Sequence, residues 1–236
     1  MIIHIQTRRA FARRGHKRMG DILENKKAVV MMSGGRDSML AACYMIEDGY
    51  EVHMIGFDNG HMWESDYIQE TAGRVVSTYG KDKAVFDGIF PTAGKMYQKM
   101  RAVYKDAGKF DFEQMTCLCC QLSMFEEAID YCRRNGIDTL ASGHRHSDPY
   151  VISNEFIISR IRKLCEENGI TLVEPVYGID DKTKIKIELA NRSIHPKTME
   201  PQCWLGFEPE DDNIPYASYE IIKKYIDYIN FFVRQS

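Results

Sequence analysis

The chain has 236 residues, of which 44% are hydrophobic and 28% are charged, and its formal net charge is −3 at pH 7. This length allows one domain with an appendage or two small domains, and the composition excludes wholesale disorder, a collagen-like fibre and a disulfide-dense mini-protein. No stretch approaches the roughly 18 apolar residues of a membrane span, so we expect no membrane partner. The N-terminal sequence MIIHIQTRRAFARRG has no long apolar stretch and no small-residue cleavage site, which predicts a cytoplasmic protein without a secretory signal.

The first 26 residues form a basic arm. Residues 1–27 contain eight lysines and arginines but only two acidic residues, Asp21 and Glu24. Such an arm in front of a nearly neutral domain fits contact with nucleic acid. It fits equally well a solvated surface helix, or an arm that packs on a second subunit in a homodimer. The charge pattern alone leaves all three interpretations open.

Strand-like and helix-like stretches alternate along the rest of the chain. Short, mostly apolar runs predict strands at 28–32, 51–57, 84–89, 138–142 and 171–177. Periodic patterns predict a helix that ends at Gly49 and further helices at 64–79, 121–135, 155–168, 182–192 and 216–233. The alternation predicts an α/β fold with a Rossmann-like parallel sheet, whose ligands bind at the carboxyl ends of the strands. Residues 91–120 fit this pattern less well, and we interpret them as an insertion beside the site.

The strongest signal is the segment Ser33-Gly34-Gly35-Arg36-Asp37-Ser38, which follows the first predicted strand and opens a helix. Two glycines let the backbone turn tightly and approach an anion, and the free amides at a helix start attract phosphate. Asp37 would repel a phosphate unless a cation lay between them, so it implies Mg²⁺ or a structural contact with the loop. The segment has no Gly-Lys-Ser/Thr and is therefore not a Walker loop. The bland alternative is an ordinary strand-to-helix turn.

This segment resembles the SGGxDS motif of the PP-loop ATP pyrophosphatases, also called adenine nucleotide α-hydrolases. The resemblance extends over residues 26–205 and implies a PP-loop ATP-binding domain at 27–206, between the arm 1–26 and a helical tail 207–236. In that family the loop holds the β- and γ-phosphates of ATP while a substrate oxygen attacks the α-phosphate. The resemblance therefore implies ATP and Mg²⁺ as cofactors and an adenylated intermediate with pyrophosphate as the leaving group.

The segment EVHMIGFDNGH at 51–61 is similar to the second strand of the family and its end. The resemblance implies that Phe57 and Asp58 lie against the adenine or the ribose. His61 has the chemistry of an acid or a base, and it also fits a surface histidine. The same segment resembles 7-cyano-7-deazaguanine synthases, which use ammonia on a small deazapurine, but their zinc motif near the C-terminus is absent apart from Cys203.

Two later segments are also similar to family motifs. Ser142-Gly143-His144 resembles a T/S-G-H signature near the nucleotide, in which His144 is the candidate contact. Arg145, next to it, could offset charge on the α-phosphate. The segment PVYGIDDKTKIKIELA at 175–190 resembles the start of a lysine-bearing helix. Lys182 would reach a phosphate there, and one of the two aspartates before it would cap the helix.

The chain has seven cysteines, and this odd number without a secretory signal argues against a disulfide framework. Cys43, Cys132 and Cys165 fall within helical patterns and are predicted to be buried. The segment Cys117-Leu118-Cys119-Cys120 places three thiols just before a predicted helix. Its C-x-x-C spacing lets two thiolates bind one metal, and a helix N-terminus would lower the pKa of the thiols.

Several PP-loop enzymes that thiolate tRNA have a similar C-x-x-C and one more cysteine after the lysine helix, in the position of Cys203. In one branch three such cysteines hold a [4Fe–4S] cluster, and in another branch two of them relay a persulfide. By order and spacing Cys117, Cys120 and Cys203 fit the first arrangement, and Cys119 is an extra thiol that could replace one metal ligand. A persulfide relay, a structural Zn²⁺ site and inert thiols stay open beside the cluster.

The resemblance as a whole implies adenylation of an oxygen on a nucleobase, followed by insertion of sulfur from a donor, with tRNA as the acceptor. Asp37, Cys117, Cys120 and Cys203 are the predicted catalytic residues. A small nucleobase acceptor stays open, because no RNA-binding module such as THUMP is recognisable. An ammonia-using ligase and a nucleotide-binding protein without chemistry are two further hypotheses.

Overall fold

The described part of the protein comes from a computed structural model and comprises residues 26–63, 65–104, 112–148, 155–195 and 202–203. The predicted arm up to residue 25 and the predicted tail lie outside these ranges, so the predicted domain limits stay predictions. In the described ranges, no helix is long and apolar enough to cross a membrane.

Strands and helices alternate in the described part of the chain. The strands are β1 (Lys26–Met32), β2 (Tyr50–Asp58), β3 (Met62–Trp63), β4 (Ala84–Pro91), β5 (Thr139–Ala141), β6 (Thr171–Val173) and β7 (Gln202–Cys203). The helices are α1 (Arg36–Glu47), α2 (Asp66–Tyr79), α3 (Ala93–Tyr104), α4 (Phe112–Asn135), α5 (Glu155–Glu167) and α6 (Lys182–Asn191). This order confirms the predicted α/β class.

Five of these strands form a parallel sheet in the order β4-β2-β1-β5-β6. The two short strands β3 and β7 form a separate antiparallel pair, in which Met62 lies opposite Cys203. Because β2, β1 and β5 are neighbours and run parallel, their carboxyl ends lie side by side at one edge of the sheet. This is the edge at which ligands bind in α/β folds.

The sheet separates two apolar cores. In β1, Val29 and Met31 pack in the core that contains α4 and α5, whereas Val30 and Met32 pack in the core that contains α1, α2 and α6. Successive side chains of a strand point to opposite faces, so a strand covered by helices on both faces is apolar at every position. This double burial is the physical reason for the uninterrupted apolar run at 28–32.

Two predicted boundaries differ from the structure by more than two residues. The helix predicted at 121–135 begins nine residues earlier, at Phe112, and the extended stretch predicted at 171–177 is a strand only as far as Val173. Residues 91–120 contain α3 and the first part of α4, which pack against each other. Leu118 and Cys119 in this earlier part of α4 are buried in the same core as Met96 of α3, a tertiary contact that the local sequence pattern does not reveal.

Candidate nucleotide and thiol site

The loop between β1 and α1 is closed by its own serine side chains. The amide of Gly35 donates to Ser33 Oγ at 3.2 Å, and Ser38 Oγ donates to the carbonyl of Gly35 at 3.0 Å. The amide of Ser33 donates to Ser38 Oγ at 3.3 Å. Gly34 has a φ of 86°, which favours glycine at this turn. These contacts hold the predicted phosphate loop in one compact conformation.

The loop leads directly into the N-terminus of α1. Gly35 is the N-cap residue and has no side chain with which to cap the first turn. Amides at a helix N-terminus carry partial positive charge and bind anions. The loop and the first turn therefore have the chemistry of a phosphate site, and the binding of phosphate by residues 33–38 stays a prediction.

Gly143, which follows β5, packs directly against this loop. A Cβ atom built on Gly143 would lie 2.5 Å from the amide nitrogen of Ser38 and 2.6 Å from its Cα. Only glycine permits this approach of two backbones. The structure thus places the predicted Ser142-Gly143-His144 segment beside the phosphate loop.

Arg145 connects the two segments through its guanidinium group. Nε donates to Asp37 Oδ2 at 3.0 Å, and the same side chain pairs with Asp148 and donates to the carbonyl of Ile179 at 3.3 Å. Arg145 is only 1% exposed. The sequence predicts Mg²⁺ or the loop backbone as the partner of the Asp37 carboxylate. In this structure the buried guanidinium of Arg145 offsets the charge of that carboxylate.

Replacing Arg145 with alanine is expected to lower the free energy of unfolding by about 3–5 kcal/mol, because it leaves the buried carboxylate of Asp148 without its guanidinium partner. The matched control is Arg74→Ala, which removes a surface pair with Glu70 and an exposed hydrogen bond to the carbonyl of His195 and should cost about 1 kcal/mol or less. Urea unfolding measures both. Adding Asp148→Asn to Arg145→Ala should recover part of the loss, and equal costs for the two arginines would contradict this account.

His144 lies at the boundary between the loop and α4. Its ring stacks on Phe125 with the centroids 5.9 Å apart. His144 Nδ1 and Ser142 Oγ are buried and have no hydrogen-bond partner among the described residues. Burial lowers the pKa of His144 to about 4, so the ring is neutral at pH 7. A neutral ring can donate or accept a hydrogen bond with a nucleotide but carries no positive charge. The contact between His144 and the nucleotide stays a prediction.

Lys182 is the first residue of α6. Asp181 caps this helix, because its Oδ1 accepts from the amide of Thr183 at 2.7 Å, as predicted for one of the two aspartates. The Lys182 side chain is exposed. Burial raises the pKa of the Asp148 carboxyl group, and the nearby positive charge of Lys182 opposes this shift. Lys182 therefore lies on the same side of the molecule as Arg145, from which a flexible lysine can reach a phosphate.

The end of β2 forms a rigid turn. Asp58 Oδ1 accepts from the amide of Gly60 at 2.8 Å, and Asn59 Oδ1 accepts from the amide of His61 at 2.8 Å. Phe57 is 3% exposed and packs in the core, so a role for Phe57 or Asp58 with adenine stays a prediction. Asn59, which is 2% exposed, is a residue that sequence reasoning missed. The sequence does contain a signal for this turn, because Asp and Asn directly after a predicted strand favour turns of this kind.

Three thiols lie beyond this turn. Cys117 and Cys120 are three residues apart in α4 and share one face of the helix. Asn59 Nδ2 donates to Cys120 Sγ at 3.2 Å. The β3–β7 pair holds Cys203 opposite Met62. Cys203 is also close enough to the two helical cysteines for their charges to interact. The structure thus brings together the three cysteines that the sequence singled out.

Comparison with known proteins shows to which family this chain belongs. The family model described as thiamine biosynthesis protein (ThiI) matches residues 24–196, a stretch that includes the phosphate loop, Gly143, Lys182 and the C-x-x-C segment. The chain belongs to the ThiI family. Cys203 lies beyond the matched residues, so the family match does not cover this cysteine.

This ThiI-family chain is similar to two kinds of curated protein. It is 41% identical over 75 residues to 7-cyano-7-deazaguanine synthase from Thermoplasma acidophilum, covering 31% of this chain and 30% of the relative. It is 32% identical over 129 residues to tRNA-specific 2-thiouridylase MnmA from Pseudomonas fluorescens, covering 50% and 33% respectively. For MnmA from Ureaplasma parvum the identity is 24% over 198 residues, covering 71% and 49%. The chain thus spans about a third to a half of the length of these relatives.

A solved structure shares the fold of this ThiI-family chain. It is a 4-thiouridine synthetase in complex with RNA and with bound ATP, with a TM-score of 0.59 and 17% sequence identity. The match covers 89% of this chain and 51% of that chain. At this identity the likeness concerns the fold, and it confirms the predicted Rossmann-like parallel sheet.

The predicted lowering of the thiol pKa at a helix start is wrong. Cys117 and Cys120 lie in the second and third turns of α4, beyond the first turn in which the helix dipole acts. Burial raises the pKa of Cys117 to about 12 and that of Cys120 to about 11. The neighbouring thiols add to both shifts, and the hydrogen bond from Asn59 opposes the shift at Cys120. Both thiols are protonated at neutral pH.

Cys119 faces a different environment from the other thiols of its segment. It is 2% exposed and packs in the core, where burial raises its pKa to about 12 and the charge of Lys99 opposes that shift. Its predicted role as a replacement ligand stays a prediction. Cys43, Cys132 and Cys165 are buried, as predicted from their helical patterns.

The three grouped thiols have the chemistry of a soft-metal site, because thiolates bind zinc and iron–sulfur clusters. However, in the described ranges no group of three or more His, Cys, Asp or Glu side chains could hold a metal ion as it stands. Metal binding also requires the thiols to lose their protons, which the raised pKa values of Cys117 and Cys120 oppose. The arrangement therefore gives neither [4Fe–4S] nor Zn²⁺ a defined place, and both stay predictions.

The rate at which iodoacetamide alkylates each cysteine is expected to follow the exposure and the pKa of its thiol. At pH 7.5 the exposed Cys203 should react first, while Cys117 and Cys120 react slowly and accelerate about tenfold per pH unit up to pH 10, because only the thiolate reacts. Peptide mass spectrometry at four pH values measures the rates. Cys165, which is fully buried, is the internal control and should stay unmodified in the folded protein. Labelling of Cys117 as fast as Cys203 at pH 7 would contradict the assigned burial.

Proposed function

We propose that this chain activates an oxygen of a nucleobase in tRNA with ATP and then replaces that oxygen with sulfur. The observation that carries the proposal is the position of two chemically different groups at one edge of the sheet. The phosphate loop 33–38 follows β1, and the thiols Cys117, Cys120 and Cys203 lie beyond the end of the neighbouring strand β2. One bound acceptor base could therefore face both groups.

In the first step the loop binds the β- and γ-phosphates of ATP. The nucleobase oxygen attacks the α-phosphorus, the bond from that phosphorus to the bridging oxygen breaks, and pyrophosphate leaves while the base releases its ring proton to solvent. The amides of the first turn of α1 and the ammonium of Lys182 stabilise the negative charge of the leaving pyrophosphate. Bound Mg²⁺ would neutralise further phosphate charge, and Asp37 is the loop residue with the chemistry to hold it. Arg145 keeps Asp37 in place.

In the second step a sulfur nucleophile attacks the activated carbon and AMP leaves with the original oxygen. With hydrosulfide as the donor, the sum is nucleobase, ATP and hydrosulfide giving thiobase, AMP and pyrophosphate. With a persulfide on one cysteine, its outer sulfur attacks the carbon, and a second thiol then breaks the sulfur–sulfur bond to release the thiobase. That route leaves a disulfide that an external thiol must reduce. The persulfide route uses two protein thiols, which Cys117, Cys120 and Cys203 can supply, whereas the hydrosulfide route forms and breaks no bond at a cysteine.

The tRNA acceptor is supported by the relatives. Two kinds of similar protein are a tRNA-specific 2-thiouridylase and a 4-thiouridine synthetase bound to RNA. Since the chain spans only part of their length, the acceptor, the sulfur donor and any second subunit are part of the proposal. We place the reaction in the cytoplasm, as the sequence predicts.

The local 41% identity to a 7-cyano-7-deazaguanine synthase favours one second candidate, an ATP-dependent ligase that uses ammonia on a small deazapurine. The deciding experiment incubates the full chain with ATP, Mg²⁺ and bulk unmodified tRNA, with either hydrosulfide or ammonium. Digested nucleosides are then analysed by mass spectrometry. The proposal predicts a gain of one sulfur for one oxygen only with hydrosulfide. Turnover of a free deazapurine carboxylate with ammonium, and none with tRNA, would replace it with the ligase.

A further inference from the structure

We infer that Tyr97 and His61 form a stacking platform for the heteroaromatic base that receives the sulfur. This inference rests on the proposed function and names the part of the same site that holds the acceptor. The occupant is a base of tRNA that lies outside its duplex stack.

Tyr97 is unusually exposed for its size. Half of its surface is accessible, and Ile187 is the only other large hydrophobic side chain exposed to this extent in the described part of the chain. Its hydroxyl lies 3.1 Å from His61 Nε2, and the two rings pack edge to face with the centroids 5.8 Å apart. The histidine thus fixes the orientation of the tyrosine, although much of the tyrosine surface stays open to solvent.

The platform belongs to the same turn that contacts the thiols. Asn59 at the start of the turn donates to Cys120, Met62 at its end pairs with Cys203, and His61 lies between them in the chain. The turn is rigid, because the side chains of Asp58 and Asn59 each accept a backbone amide within it. The platform is therefore connected to Cys120 and Cys203 through one short turn.

The helix that carries Tyr97 is firmly attached to the helix that carries the thiols. Lys95 of α3 pairs with Glu127 of α4 at 2.7 Å, and the buried Lys99 of α3 pairs with Glu126 of α4. Lys95 and Lys99 lie one helical turn apart, on the face of α3 that packs against α4. The opposite face of α3 presents Tyr97 to solvent, so the ring is held at a fixed place relative to the α4 cysteines.

The exposed face of α3 also suits a polynucleotide. Arg101 follows Tyr97 by four residues and is exposed, so the two side chains lie on one face of the helix. An aromatic ring for a base with a guanidinium one turn away for a phosphate is the combination with which proteins bind unpaired nucleotides. Chemistry on a carbon of a base requires that base to leave its stack, and an aromatic platform offsets part of that cost.

The test compares Tyr97→Phe, Tyr97→Leu and Tyr97→Ala with the wild type, using ATP, Mg²⁺, hydrosulfide and bulk unmodified tRNA. Removal of the ring in the leucine and alanine variants should lower kcat/KM for tRNA by about tenfold or more, mainly through KM. The phenylalanine variant keeps the ring and should stay within about threefold of the wild type. Leucine keeps most of the apolar volume, so it separates stacking from simple contact. ATP binding should be equal in all four proteins.

The outcomes separate this inference from the function on which it rests. If the wild type thiolates tRNA and the leucine and alanine variants match it, the platform is overturned and the function stands. If the wild type thiolates no tRNA, the proposed function fails. In that case equal affinity of the wild type and the ring-less variants for tRNA overturns the platform as well, and weaker binding by the ring-less variants alone leaves the platform standing as a tRNA contact.

Discussion

Replacing Gly143 with alanine is expected to reduce ATP turnover by about 100-fold or more. The added Cβ would lie 2.5 Å from the amide nitrogen of Ser38 and 2.6 Å from its Cα, distances that force one of the two backbones to move. Ser38 is 3% exposed and closes the phosphate loop, so the movement displaces the loop amides themselves. Misplacement by about 1 Å of groups that position a reacting phosphate costs about two orders of magnitude in rate.

The matched control is Gly178→Ala, because a Cβ on Gly178 would meet no atom within 4 Å. Steady-state release of AMP in the presence of tRNA and hydrosulfide measures activity, and equilibrium dialysis measures ATP binding. We expect the Gly178 variant to match the wild type and the Gly143 variant to lose both properties. Wild-type ATP binding by the Gly143 variant would contradict the role assigned to residues 33–38.

Substitution of a grouped thiol is expected to separate the two steps of the reaction. By the persulfide route, two of Cys117, Cys120 and Cys203 act, one as the carrier of the sulfur and one as the thiol that releases it. Serine in place of either of these two should reduce thiobase formation by about 100-fold or more, because a hydroxyl can neither carry nor release sulfur. Formation of AMP should persist, since the phosphate loop and Lys182 do not depend on the thiols. Mass spectrometry of nucleosides and chromatography of adenine nucleotides follow the two products in one reaction.

The control for these variants is Cys165→Ala. Cys165 of α5 is fully buried and belongs to the core, so its loss affects stability and should leave the ratio of thiobase to AMP unchanged. A Cys119→Ala variant tests the remaining thiol of the segment in the same way. Full thiobase formation by all three serine variants would show that the grouped thiols are not the sulfur site.

The sheet and the phosphate loop could be predicted because their signals are local. The double burial of β1 makes residues 28–32 apolar throughout, and the chemistry of the loop is contained in six consecutive residues. The cap of α6 by Asp181 is also a contact within one turn. In each case neighbouring residues in the sequence are neighbours in the structure.

Features that depend on distant contacts could not be predicted. Leu118 and Cys119 of α4 share a core with Met96 of α3, and tertiary packing of this kind overrides the modest helix propensity of the segment around Cys117. The direction of the thiol pKa shift depends on that burial. Arg145 meets Asp37 across 108 positions in the chain, and no local pattern reveals such a pair.

The most direct test of the central claim is the position at which ATP is cleaved. Full-length protein would be incubated with ATP labelled at the α-phosphate, unmodified tRNA and hydrosulfide, and the products separated by chromatography. The account predicts AMP and pyrophosphate, with one AMP formed for each sulfur that enters a nucleoside. Formation of ADP, or ATP binding without cleavage in the presence of both acceptor and donor, would contradict it.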